Sequence, residues 1–357
     1  MNSEQGGSSV SFGGRVLGAS LIVLAVVALA GLLWATADVL LLTFAGVLAA
    51  IFLRSLMAIL HRWTRMPWGW ALLVVMLLLA GVTAAAIALA APSVGVQFQQ
   101  FVQNLPVAIR KASTYLDRFP AAQNYITSHD PWQMFSSEML TRIGGFFTTT
   151  FGLLGAFIVI FFVGIYGAIE PEIYRESFLR LVPGDRRRRA GEVIDAMVIA
   201  LKAWLNTRLF AMVVIGALTI IGLAIIGVPL ALALGLIAAV LTFIPYIGPT
   251  VAAIPAILIA LMQSPTKAAW VVVLSLITHT IEAYFLTPLI QKRAMSLSPI
   301  VAIMTQVLFG AIWGLLGMAL ATPITAVAVV LIETLYIEDT LGEEPQLGGE
   351  GKKTNHA

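Results

Sequence analysis

Charged side chains are absent from residues 209–266, a run of 58 positions. As helix, at about 1.5 Å per residue, that run would reach roughly 87 Å, against a hydrocarbon core of about 30 Å. It must therefore enter or cross a bilayer more than once. Phe243-Ile244-Pro245-Tyr246-Ile247-Gly248-Pro249 interrupts it midway. Backbone groups freed by such a break cost several kcal/mol in hydrocarbon unless protein or water satisfies them, so a break at depth points to a buried site or a polar cavity.

The remaining apolar stretches give the order of elements. Residues 16–34, 39–60, 69–91 and 143–169 each read as one membrane span, and residues 1–15 as a disordered start. The first stretch is too long for the apolar part of a cleaved signal, so it is expected to be retained. Residues 92–142 form a small helical domain outside the membrane, with Val94, Phe98, Phe101, Val102, Leu105 and Ile109 at helical spacing. Residues 170–208 form a basic loop with an amphipathic helix over 191–207. Span five follows at 209–227 and span seven at 268–290. Two uncharged stretches of 39 residues, 228–266 and 294–332, each carry Pro/Gly breaks. Residues 209–335 thus form a core in which a span and a broken segment occur twice, and 336–357 form a polar tail.

Together these stretches define an all-α polytopic membrane protein with about eight hydrophobic segments, the two broken ones read as re-entrant hairpins or as simple crossings. Charge bears on that choice. Arg54, His61, Arg62 and Arg65 lie between spans two and three without an acid, and 170–208 carries eight basic residues against six acidic. Both loops are therefore expected in the cytoplasm, with residues 92–142 opposite and both termini cytoplasmic. Lys292 and Arg293 fall inside only if 228–266 is a hairpin, and the two broken segments would then be inverted relative to each other. Paired interrupted segments are the best sequence pointer to a transporter's solute site.

Composition adds exclusions. Hydrophobic residues make up 59% and charged residues 11%, and no cysteine is present, which removes disulfides and thiolate chemistry. No phosphate-cradling loop and no nucleophile motif occur, so neither an ATPase nor an enzyme is expected. The run Arg186–Arg189 beside membrane spans reads as a topology signal and an anionic-lipid contact rather than a nucleic-acid site.

Glu282 is the leading chemical candidate, because a carboxylate inside an apolar span marks an ion or proton path. His279 lies one turn earlier on the same face and is its expected partner. One His-x-x-Glu spacing does not make a metal site. Around the breaks stand Thr242, Pro245, Tyr246, Gly248 and Pro249, then Thr305, Gln306, Gly314, Gly317 and Pro323, which together could line a cavity for a neutral hydroxylated solute. Arg208 and Asp38 read as interfacial.

At these residues the chain resembles the AI-2E transporter family, permeases related to the autoinducer-2 exporter. The resemblance is carried by Phe243–Pro249, by Glu282 with Thr287-Pro288-Leu289-Ile290-Gln291-Lys292-Arg293-Ala294, by Ser298-Pro299, and by Gly314–Pro323. Ala283 and Tyr284 follow the glutamate where members commonly carry Asn. The resemblance implies export of small polar molecules such as autoinducer-2-like solutes, with proton or sodium exchange for some members. It implies a bacterial inner-membrane location. A homo-oligomer, bound membrane lipids and no cofactor are also expected. A cation/proton antiporter using Glu282 and a non-transporting scaffold are the alternatives.

Overall fold

The computed structural model describes residues 34–85, 150–286 and 298–338, with isolated positions in 20–32 and residue 88. The regions 1–15, 92–142 and 339–357, and the motif Thr287–Ala294 with Lys292 and Arg293, lie outside the described residues. All regular structure among the described residues is helical.

Helix α1 (Ala37–Thr64) ends where Arg65 turns left-handed and donates its N–H to His61 O at 2.7 Å. It returns through α2 (Trp68–Ala85). Helix α3 (Thr150–Ile169) packs on α1 through small residues. A Cβ added to Gly46 would stand 2.6 Å from Val163, and one on Gly167 would stand 2.9 Å from Ala50. Such close backbone approach is how apolar helices associate when lipid removes the hydrophobic drive between them. At Glu170 the chain bends by 91° into α4 (Pro171–Arg180).

Helix α5 (Arg187–Ile226) runs 40 residues, about 60 Å. The amphipathic helix expected over 191–207 and the span expected from 209 are one element, because no breaker separates them. Arg208 therefore sits midway along a continuous helix rather than at an interface. Gly227 ends the helix in the left-handed region (φ 73°), and Val228 N–H returns to Leu223 O at 2.9 Å.

The segment 228–266 then folds back on itself. Helix α6 (Ala231–Leu241) and helix α7 (Ile247–Gln263) flank the break, and at about 16 and 25 Å both fall short of the hydrocarbon thickness. Val228 and Leu234, at the start of the segment, share a buried cluster with Ala256, Ile259 and Ala260 from its end. Lys267, in the first turn of α8 (Pro265–Ile281), donates to Gly227 O at 2.8 Å and to Gln263 Oε1 at 2.6 Å. The two ends of the segment thus meet, and it is a helical hairpin. At its tip a Cβ on Gly248 would lie 1.8 Å from Leu241 O, so only glycine fits.

Beyond Ser298, α9 (Pro299–Leu331) reverses at Gly314, whose φ of 63° and ψ of −147° fall in a region essentially reserved for glycine. Gln306 Nε2 donates to Thr322 Oγ1 at 2.9 Å across the fold. In a straight helix those residues would be about 24 Å apart. A Cβ on Gly317 would meet Phe309 O at 2.4 Å, and one on Gly310 would meet Met318 Cε at 2.7 Å. The second broken segment is also a hairpin.

By length and apolarity, α1, α2, α5 and α9 qualify as membrane-crossing helices among the described residues, and α3–α4 makes a fifth only if the bent pair counts as one span. The reversal at Gly314 divides α9 into two arms, so its 33 residues are not one straight span.

Candidate functional site

The two hairpins approach α5 from opposite ends. The first has its base at Gly227, at the C-terminal end of α5. The second leaves at Thr334 and Glu338, whose oxygens lie 3.1 and 2.8 Å from Arg189 Nη2 at the N-terminal end. Their tips converge on the middle of the helix. Phe243 meets the Trp204 ring edge-on, with centroids 5.4 Å apart. Phe309, Trp313 and Leu320 of the second hairpin belong to the same apolar cluster as Leu201, Trp204 and Leu205, together with Leu41 and Leu48 of α1.

One turn beyond Trp204, Arg208 Nη1 donates to Glu282 Oε1 at 3.1 Å, with side-chain exposures of 7% and 9%. Glu282 opens a π-helical turn (Glu282–Leu286) that ends α8, so the pair ties α5 to α8. The partner seen for the carboxylate is a fixed guanidinium on another helix. His279 is half-buried and within electrostatic reach of it, and Tyr246 stands in the same relation to Arg208. Sequence reasoning missed Arg208 because it marked the edge of the uncharged run. The available signal was the unbroken helical pattern from 187 onward, which puts it mid-helix.

Of the other candidates, the first group clusters at the tip of the first hairpin. Thr242 and Pro245 are fully buried, and Gly248 and Pro249 are buried beside them. Tyr246 is a non-glycine residue at φ 62° and is partly exposed. The second group lies along the other hairpin, where Gln306 and Pro323 are fully buried and Gly314 and Gly317 make the reversal. Thr242 Oγ1 donates to Ala238 O at 2.7 Å and Thr305 Oγ1 to Val301 O at 2.8 Å, so these hydroxyls satisfy their own helices. Gln306 Oε1, Trp204 Nε1 and Arg208 Nε are buried with no hydrogen-bond partner among the described residues. A cavity of about 20 Å³, room for about one water, lies between α5, the first hairpin and α8, with Thr219, Ser275 and Thr278 as its polar lining. No group of three metal-ligating side chains occurs among the described residues.

The basic run is engaged in ion pairs. Arg188 and Arg189 reach Glu192 at 3.0 and 3.1 Å. Arg175 of α4 forks onto Asp195 at 3.0 and 2.8 Å, and that carboxylate holds the guanidinium above its ordinary pKa. Arg186 and Arg188 remain largely exposed.

Two hairpins meet at the middle of a long helix beside a buried ion pair, and comparison with known proteins decides the family. Residues 22–337 match the AI-2E family transporter profile. The chain belongs to the AI-2E transporter family. Several relatives in this family are named "Putative transport protein". YueF of Bacillus subtilis is 25% identical over 298 residues, covering 79% of this chain and 80% of that protein. YrrI of the same organism is 26% identical over 304 residues, covering 81% and 85%. YhhT of Escherichia coli is 25% identical over 323 residues, covering 87% and 88%. The chain is accordingly a multi-pass membrane transport protein of this family.

Proposed function

We propose that this AI-2E family protein moves small polar solutes, autoinducer-2-like in chemistry, out of a bacterial cell by a secondary or facilitated mechanism. The observation that carries the reading is the pair of hairpins entering from opposite ends of α5 and converging at Trp204. Two such hairpins supply inverted halves around a fixed central site, the arrangement alternating access requires. The protein sits in the inner membrane with the ends of the chain and Arg186–Arg189 in the cytoplasm.

Glu282 is the coupling residue in this reading. In the state described here it is neutralised by Arg208, and a proton or sodium ion competes with that guanidinium for the carboxylate. The test is flux in proteoliposomes, screening neutral hydroxylated solutes, organic anions and amines with and without pH or sodium gradients. Gradient-dependent movement of a small polar solute is expected. Cation exchange with no solute flux would replace this reading with the antiporter.

A further inference from the structure

Two buried N–H donors at the centre of the protein have no acceptor among the described residues. Trp204 Nε1 and Arg208 Nε are shielded from solvent and unpartnered among the described residues, in side chains more than nine-tenths buried (Trp204 9% and Arg208 6% exposed). Native interiors rarely leave such groups unsatisfied, and those that remain need an explanation. The two stand four residues apart, one turn along the same face of α5. Trp204 faces the broken tip of the first hairpin, where its ring meets Phe243 edge-on.

Chemistry narrows what would satisfy them. Indole and guanidinium nitrogens only donate, so the missing partners are acceptor oxygens. Glu282 offsets the charge of Arg208, so the donor pair sits in an electrically balanced site. A carboxylate bound there would add an uncompensated buried charge. An ammonium would bring only further donors to these two donor groups and add a buried charge of its own. Hydroxyl or carbonyl oxygens satisfy both groups without net charge. Gln306 Oε1 is a buried acceptor with no partner, one turn before Phe309 of the Trp204 cluster. It complements the O–H of a hydroxylated molecule.

We propose that Trp204 Nε1 and Arg208 Nε are the recognition pair for the oxygens of a small, uncharged, hydroxylated solute. The inference rests on the transport reading and names the specificity residues of that same core. The probe is erythritol, with lactate and ethanolamine as comparators of opposite charge, measured by equilibrium dialysis on the purified full-length protein. Trp204→Phe keeps an aromatic ring against Phe243 and removes the donor. Erythritol should bind the wild type in preference to both comparators. Trp204→Phe should weaken that binding about tenfold with thermal stability unchanged. Arg208→Lys keeps a cation for Glu282, removes Nε, and carries the same expectation if the Phe variant unfolds. Undiminished erythritol affinity in the variant, or equal binding of all three probes, overturns the assignment. Selective binding without flux in proteoliposomes would sink the transport reading and leave the donor pair standing. Flux unaffected in apparent affinity by Trp204→Phe would do the reverse.

Discussion

Arg208 and Glu282 place two full charges in the buried interior of the molecule. Desolvating such ions is expensive, and what makes the pair tolerable is that each neutralises the other. The pairing changes what a substitution should do. Considered alone, Glu282→Gln looks conservative, because shape and hydrogen bonding survive. Beside Arg208 it leaves a buried guanidinium without its counter-charge, a loss of about 3–5 kcal/mol. The double variant Arg208→Gln/Glu282→Gln removes both charges and should recover most of that loss. Thermal unfolding in detergent, comparing the single, the double and the wild type, reads this directly. A single variant as stable as the wild type would mean that the pair is not formed in the membrane protein. Flux is a separate readout, and the double variant should be stable while losing gradient-driven transport.

At the scale of elements, glycine decides the architecture twice. Gly248 admits Leu241 O to a distance no Cβ allows, and Gly314 adopts a backbone conformation other residues avoid. Each break turns an apolar stretch of spanning length into two short arms packed on each other. Cysteine pairs are informative in a chain that has none of its own. Cysteines at 306 and 322 should be joined by a short bifunctional thiol crosslinker, since these side chains hydrogen-bond at 2.9 Å in the hairpin. Straight helix geometry would hold them about 24 Å apart, and absence of the crosslink in folded protein would exclude the reversal at Gly314. The bend before α4 matters in another way. The 91° bend turns α4 away from the axis of the apolar α3, and α4 exposes Ile173, Tyr174 and Phe178. With Arg186 and Arg188 exposed nearby, that surface suits an anionic headgroup layer.

Across the whole molecule, α5 is the reference axis. Its C-terminal end holds the base of the first hairpin through Lys267, and its N-terminal end holds the exit of the second through Arg189. At about 60 Å, α5 is longer than the hydrocarbon core and interfacial layers together, so in the proposed arrangement its two ends emerge on opposite sides. Single cysteines at positions 267 and 338 should therefore label from opposite faces with an impermeant thiol reagent, position 338 only after lysis. Labelling of both from one face would remove the proposed inverted arrangement and with it the support for alternating access.

The amino-acid sequence by itself determined the class of this protein, its family and the places where the chain must break. Each follows from local quantities: the length of an uncharged run against bilayer thickness, and proline and glycine where a helix cannot continue. Glu282 was equally legible, because one carboxylate in apolar surroundings stands out without any neighbour being known. Three-dimensional packing alone decided what meets what. That Gly227 touches Lys267, that Gln306 bonds Thr322, and that Glu282 finds Arg208 across 74 positions of chain are long-range contacts. No periodicity encodes them. Arg208 shows the difference most clearly. In sequence it marks the edge of a hydrophobic run, where a basic residue ordinarily reaches the interface. Only the continuity of α5 and the return of α8 carry it to the centre, beside the tips of two hairpins.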